Sequence, residues 1–388
     1  MQFIFNLAAR AGSLLIKRSP EMQQPNFLAE KIKRGEVKKI LLIQLQQLGD
    51  NLVFTPTVKA IVEHFSHLHI DMLVNTVGYQ VYKNIPQIKT FYVDSTWYWS
   101  KGDRKLLPLL KLLLQIRQER YDLAILDVTC VALKYPVISF LTGATFRMGL
   151  DVNHRGFLNN IVPPFHRDKN FVEQNLELLP FLGIEHASTA LWLPCTESDK
   201  TTARALADKL KQDPSDKLIV IHQGSNWSSK QWFAERWIEL CRKLMDIDGA
   251  RIAFMGVERE REQVERIVLE LHDTKRVFSL IGKTTIHELK EFIEQSDLFI
   301  TVDTGPMHIG NCTQTPMIVL MSAIDKEDRW IQASERVAVI RKEVECKYCL
   351  SEHCPLGTKE CMSLISVAEV AHMAEAMLAQ DRVLLRKK

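Results

Sequence analysis

Short, unbroken apolar runs alternate with longer stretches of helical periodicity along most of the chain. After a polar linker over residues 23–36, residues 39–45 form a compact apolar segment that predicts a buried strand. Gly49-Asp50-Asn51 breaks the run, and residues 57–65 then take a helical pattern. Residues 70–74 and 91–93 predict further short strands. Residues 106–116 predict a leucine-rich helix flanked by Lys101, Arg104, Lys105, Arg117 and Arg120, and residues 123–126 another buried strand. The alternation restarts with strands over 217–221, 251–255, 277–280, 298–302 and 317–320. Such a rhythm predicts parallel βαβ units. Residues 191–214, with two prolines and a polar segment beginning near Cys195, separate the halves. The expected organisation is therefore an N-terminal amphipathic segment and linker (1–36), a first α/β domain (37–195), a second (196–365) carrying a cysteine-rich loop (346–361), and a C-terminal helix (366–388). Two doubly wound domains of this kind are expected to bind ligands at the C-terminal ends of their strands, in a cleft between the halves.

Length and composition agree with that picture. A chain of 388 residues exceeds what one core usually serves, and 46% hydrophobic with 25% charged residues is the balance of a globular protein. The formal charge of only +3 gives no global field directed at nucleic acid. A mean hydropathy of -0.08, without an apolar run of spanning length, excludes a polytopic membrane protein. Residues 1–18 mix apolar side chains with Arg10, Lys17 and Arg18 and lack a small-residue cleavage site. They suit either a helix at the surface of an anionic leaflet or one docked on the domain. A cytoplasmic location, with reduced thiols, is expected.

Four motifs could carry chemistry. Leu48-Gly49-Asp50-Asn51 follows the first strand, where a glycine lets the backbone turn and leaves Asp50 at the ligand-binding edge of the sheet. A carboxylate there can take a proton from an attacking hydroxyl, or simply cap the next helix. The segment from His222 to Trp232 follows another strand; Gly224, Ser225, Ser228 and Ser229 offer donors to phosphate oxygens, and Lys230 adds a mobile positive charge. The alternative is a polar surface loop with Trp232 packed at the start of a helix. In Thr301-Val-Asp303-Thr304-Gly305-Pro306-Met307-His308 a strand runs into a helix whose N-terminus presents free N–H groups to an anion. Asp303 and His308 also suit purely structural roles there. Glu258, after Gly256-Val257, could bind hydroxyls of a nucleoside or sugar, or favour a helix N-terminus.

In order and spacing, the Leu-Gly-Asp, the Gly-Ser…Lys-x-Trp and the Asp-Thr-Gly-x-x-His together resemble glycosyltransferase family 9, the ADP-heptose:lipopolysaccharide heptosyltransferases, over the chain from about residue 39 onward. The resemblance implies a GT-B fold of two Rossmann-like domains, the first binding the acceptor and the second the nucleotide sugar. It also implies inverting, metal-independent transfer of heptose from ADP-heptose to a lipopolysaccharide core at the cytoplasmic face of the inner membrane. By position, Asp50 is implied as the general base, with Gly49 and Asn51 on the acceptor side. Lys230, Ser228 and Ser229 are implied at the donor phosphates, Asp303, Thr304, Gly305, Met307 and His308 at the diphosphate and heptose, and Glu258 at the ribose. Two departures stand out: His222-Gln-Gly-Ser lacks a proline common before the glycine, and Gln46-Gln47 replaces short hydroxyl residues, leaving the acceptor-side lining open. Alternatives from other classes are a heptosyltransferase acting on autotransporter proteins, a non-catalytic sugar-nucleotide-binding protein and a nucleotide-sugar epimerase. The last would need further acid/base groups that no motif supplies.

Four cysteines, Cys346, Cys349, Cys354 and Cys361, crowd into the 346–361 loop with His353. Four thiols so close in sequence could satisfy a tetrahedral metal, a structural zinc or iron outside the chemistry, or remain reduced thiols. A related group that glycosylates autotransporters carries an iron-binding cysteine site. Cys130, Cys195, Cys241 and Cys312 lie in or near apolar segments and are expected to be packed.

Overall fold

The computed structural model describes residue 16 and residues 18–94, 106–166, 168–331 and 334–379. Residues 1–15 and 17 of the start expected to be amphipathic, and the basic flank Lys101, Arg104 and Lys105, lie outside these residues; Arg18, the last residue of that start, pairs with Asp151 at 2.9 Å. Two compact units divide the chain, Met1–Trp192 and Leu193–Lys388.

The first unit runs α1 (Phe27–Lys33), β1 (Lys39–Gln44), α2 (Leu48–His64), β2 (His69–Val74), α3 (Thr76–Tyr82), β3 (Ile88–Val93), α4 (Leu106–Gln118), β4 (Leu123–Leu126), α5 (Lys134–Leu141), β5 (Phe146–Met148) and α6 (Phe171–Leu176). Its sheet has the order β3-β2-β1-β4-β5, all parallel. β1 is central, and Ile40 to Ile43 are fully buried, as a strand covered on both faces requires.

Three sequence expectations change in this unit. The stretch read as a polar linker contains α1, which buries Leu28, Ala29 and Ile32, while Phe27 meets Phe146 edge-on at 5.6 Å. The helix expected from residue 57 begins at Leu48, because both apparent breakers are accommodated inside it. Pro56 cannot donate to the Leu52 carbonyl, and the Thr55 hydroxyl serves that carbonyl instead at 2.6 Å. Gly49 lies in the first helical turn, and Gln47, extended at the N-cap, ends the turn that the glycine was expected to make.

The second unit runs α7 (Glu197–Leu210), β6 (Lys217–His222), α8 (Ala234–Met245), β7 (Ala250–Phe254), α9 (Arg261–Leu271), β8 (Val277–Ser279), α10 (Ile286–Gln295), β9 (Leu298–Val302), α11 (Gly305–Asn311), β10 (Met317–Met321), β11 (Val337–Arg341), α12 (Glu360–Ser363) and α13 (Val367–Ala379). Much of the expected linker is α7, which opens with a Thr196–Asp199 capping box and buries Ala203, Ala207 and Leu210. The parallel sheet has the order β11-β10-β9-β6-β7-β8. Counted from its own first strand this is 3-2-1-4-5-6, the doubly wound order of dinucleotide-binding folds. α13 belongs to this core through Val370, Ala371 and Ala374, and Trp232 and Trp237 meet edge-to-face at 5.0 Å within it. Among the described residues no helix is long and apolar enough to cross a membrane.

Candidate active site

A doubly wound sheet reverses direction beside its first strand, and the loops leaving the two strands there diverge to leave a ligand crevice. In the first unit those strands are β1 and β4. The loop after β1 is bound down by Asn51, whose amide donates to the Gln46 and Gln47 carbonyls at 2.9 and 2.8 Å. Asn75 adds a third hydrogen bond to Gln46 at 2.8 Å. Asn51, expected to face the acceptor, is thus fully buried and shapes the loop from behind. Asp50 occupies the third position of α2, where its Oδ2 accepts the Gln47 N–H at 3.2 Å. The capping role is therefore realised, and it fixes the carboxylate at the strand end.

The loop after β4 carries Asp127, which the sequence reading passed over. Its Oδ1 accepts the Thr129 N–H at 2.7 Å and the Thr129 hydroxyl; its Oδ2 is buried with no protein hydrogen-bond partner. Burial pushes the Asp127 carboxyl up to about 7; the Thr129 hydroxyl pulls it down and the Asp50 charge pushes it up.

In the second unit the corresponding strands are β6 and β9. Lys230, from the loop after β6, reaches Asp303 at the end of β9 at 2.7 Å. Asp303 is buried, and the Lys230 ammonium also lies 5.4 Å from the Trp227 ring centre. Thr304 is extended, and Gly305 and Pro306 open α11. His308, one turn in, is buried edge-on to Trp330 at 5.9 Å, with Nδ1 lacking a protein partner. Burial lowers the imidazole to about 4, against the pull of Asp303, so the ring is neutral near pH 7. Met307, expected with the donor residues, is instead fully buried in the protein.

The glycine-rich segment also differs from expectation. Glu260 lies against both Gly224 and Gly256: a Cβ at either would lie 2.0 or 2.2 Å from its carboxylate oxygens, which would have to move aside. Glu260 Oε2 accepts the Val257 N–H at 3.0 Å and stands 3.6 Å from His222 Nε2. Its carboxyl is pushed up by burial but drawn below the usual range by His222 and Val257. The acid held against this loop is thus Glu260, whereas Glu258, whose side chain is 72% exposed, pairs with Arg261 at 2.5 Å. Two glutamates two residues apart gave no sequence signal for which one turns inward.

Ser225 Oγ accepts the Trp227 N–H at 3.2 Å. Ser228 and Ser229, expected at phosphate, are engaged with the cysteine-rich loop. Ser229 Oγ donates to Ser351 O at 2.7 Å, and Ser228 Oγ meets His353 Nδ1 at 2.8 Å. Lys359 Nζ donates to Gln231 O at 3.1 Å. That loop therefore braces the lysine segment rather than standing apart from the candidate chemistry. Its cysteines are free, Cys349 exposed and Cys361 buried, and the Lys359 N–H donates to Cys354 Sγ at 3.3 Å. Among the described residues no group of three or more His, Cys, Asp or Glu is arranged to hold a metal ion, although Cys346 lies within electrostatic reach of Cys349, Cys354 and Cys361.

Two parallel Rossmann-like units, each with polar side chains at its point of strand reversal, define the fold class of a GT-B glycosyltransferase. Residues 109–360 match the model of glycosyltransferase family 9 (heptosyltransferase), and the chain belongs to that family. It is 26% identical over 286 residues to lipopolysaccharide heptosyltransferase 3 of Escherichia coli K12, covering 71% of this chain and 80% of that one. The solved family 9 glycosyltransferase of Veillonella parvula superposes with a TM-score of 0.75 at 20% identity, over 89% of this chain and 98% of that one. E. coli heptosyltransferase WaaC, solved with ADP-2-deoxy-2-fluoro heptose, gives 0.64 at 17% identity, over 87% and 99%.

Proposed function

We propose that this protein transfers heptose from ADP-heptose to a lipopolysaccharide-core acceptor, with inversion and without a metal. The observation that carries the reading is the placement of opposite chemistries at equivalent positions, a carboxylate at the end of the first unit's central strand and the Lys230–Asp303 pair in the second. Asp50 removes the acceptor hydroxyl proton while that oxygen bonds the anomeric carbon. The bond from that carbon to the diphosphate oxygen breaks, and ADP leaves with the electron pair. Lys230 and the Thr304–Gly305 helix start face the departing charge, so the positive charge comes from the protein. Asp303 holds the lysine in place, and Glu260, an acceptor-only carboxylate beside Gly224, suits ribose hydroxyls better than phosphate. The names of the lipopolysaccharide relatives and the donor analogue in the WaaC structure support acceptor and donor class.

The same reading includes contact with the cytoplasmic face of the membrane. α4 buries Leu109, Leu113 and Ile116, yet Leu107, Leu110 and Leu114 form an exposed stripe at helical spacing, with Lys111 and Arg117 alongside. Arg117 leads to the exposed Phe140 and Leu141 of α5 through its hydrogen bond to the Leu141 carbonyl at 3.5 Å. An apolar stripe edged by cations suits an anionic interface.

Mass spectrometry of reactions offering ADP-heptose with a panel of truncated core acceptors tests the assignment. Asp50→Ala is expected to lower transfer by about 10²–10⁴-fold while ADP binding persists. Full activity in that variant removes Asp50 as the base.

A further inference from the structure

We propose that Asp127 is a positioning residue for the transfer step, a second carboxyl beside Asp50 whose own ionisation sets how strongly Asp50 draws a proton from the acceptor. The proposal rests on Asp50 acting as the base. Its ground is geometric. β4 pairs with β1, so the loops leaving them run side by side, and the Asp127 N–H donates to the Ile43 carbonyl at 3.3 Å. Gln46 Nε2 donates to the Thr129 carbonyl at 3.0 Å, and Cys130 Sγ donates to Gln44 Oε1 at 3.8 Å, so the two loops form one body. The Gln44 amide in turn reaches the Asp50 carbonyl at 3.3 Å.

Within that body Asp127 is only 1% exposed. Thr129 satisfies Oδ1, a role that an asparagine oxygen would fill equally well. Oδ2 makes no protein hydrogen bond. A carboxylate oxygen buried without a donor is costly, and the cost falls when it carries a proton. The titratable groups facing it are Asp50 on α2, Tyr82 on α3 and Cys130 in its own loop; Lys134 at the start of α5 acts on Cys130, and the Asn175 amide on α6, outside hydrogen-bond range, draws Asp127 toward its charged form. Tyr82, whose hydroxyl donates to Asn51 O at 2.7 Å, is held neutral by burial. Asp50 and Asp127 therefore form a like-charged pair. Below the ionisation of Asp127 the pair carries one charge. Above it, repulsion raises the proton affinity of Asp50, and the base strengthens as pH rises through about 7.

The test combines single-turnover transfer rates, with ADP-heptose and a truncated core acceptor, and thermal midpoints, both between about pH 5 and 8. The wild-type rate is expected to rise through neutrality. Asp127→Asn should lose that limb and run about three- to tenfold slower at the alkaline end, with the donor KM within about twofold. Thr129→Val, which removes the hydroxyl that favours the charged form, should move the limb up by about one pH unit. A wild-type limb retained in Asp127→Asn, or unmoved in Thr129→Val, overturns the proposal. The thermal midpoints need no activity. Asp127 titrates higher folded than unfolded, so the folded state holds an extra proton between about pH 4 and 7 and loses stability as pH rises across that window. Asp127→Asn should flatten this slope, and an unchanged slope also counts against the proposal. If Asp50→Ala remains fully active while the slope flattens, the base assignment fails and the ionisation of Asp127 stands.

Discussion

The two units present the same strand order up to the point of reversal, yet the side chains gathered there are opposite in kind. In the first, the loops after β1 and β4 set a carboxylate beside a buried carboxyl. In the second, the loops after β6 and β9 set a lysine 2.7 Å from a carboxylate. The scaffold thus fixes which loops become neighbours, and one residue decides whether the place attracts protons or anions. In the first unit burial and the Asp50 charge raise the proton affinity of Asp127. The ion pair in the second holds a cation at the end of the strand, where the proposed diphosphate would compete for it. Reactions that move a proton at one substrate and a negative leaving group at the other need both arrangements.

The sharpest way to break this contrast is Lys230→Ala. It should slow single-turnover transfer by about 10²–10³-fold and leave Asp303 buried without its cation, lowering the thermal midpoint as well. Wild-type rates in that variant would remove the anion clamp from the second unit. Gly224→Ala is a finer probe, because its Cβ would lie 2.0 Å from Glu260 Oε1 and drive that carboxylate out. The donor KM should rise about tenfold, the energy of roughly one charged hydrogen bond, with the rate at saturating donor retained. An unchanged KM would exclude Glu260 from the donor site. The smallest effect concerns the outer surface of the first unit. Leu107→Gln with Leu114→Gln should reduce flotation with anionic vesicles about threefold and leave transfer to a soluble truncated acceptor unchanged. Equal flotation would exclude the stripe as the membrane contact.

Much of this arrangement is legible in the residues themselves, and the exceptions have physical causes. The central strands β1, β4, β6 and β9 are runs of Ile, Leu and Val because both faces are covered, and their extents could be read closely. β5 and β11 escaped notice because they are short or half-exposed edge strands without such runs. The start of α2 was misplaced because Gly49 and Pro56 ordinarily break helices, and the Thr55 hydroxyl that rescues the Leu52 carbonyl is a tertiary-scale detail. At the site, Asp50, Lys230 and Asp303 follow strands whose ends could be recognised. Asp127 also follows a strand, but one carboxylate after a strand looks like any other until its depth is known. The hydrogen-bond partners of Ser228 and Ser229 come from a segment some 120 residues away, beyond any local pattern.

That long reach bears on how the protein comes to be. Ser228 and Ser229 are held by Ser351, Glu352 and His353, Gln231 by Lys359, and the Trp232 indole donates to Ile365 O at 3.3 Å. Each of these bonds spans 122 to 133 residues. During synthesis the lysine segment leaves the ribosome long before its braces exist, so β6 and the helix after it can assemble while the loop between them stays unfinished. The Lys230 segment is braced only once residues 351–365 have emerged. A ribosome stalled before residue 346 would thus display the first unit already folded and the Lys230 segment still unbraced.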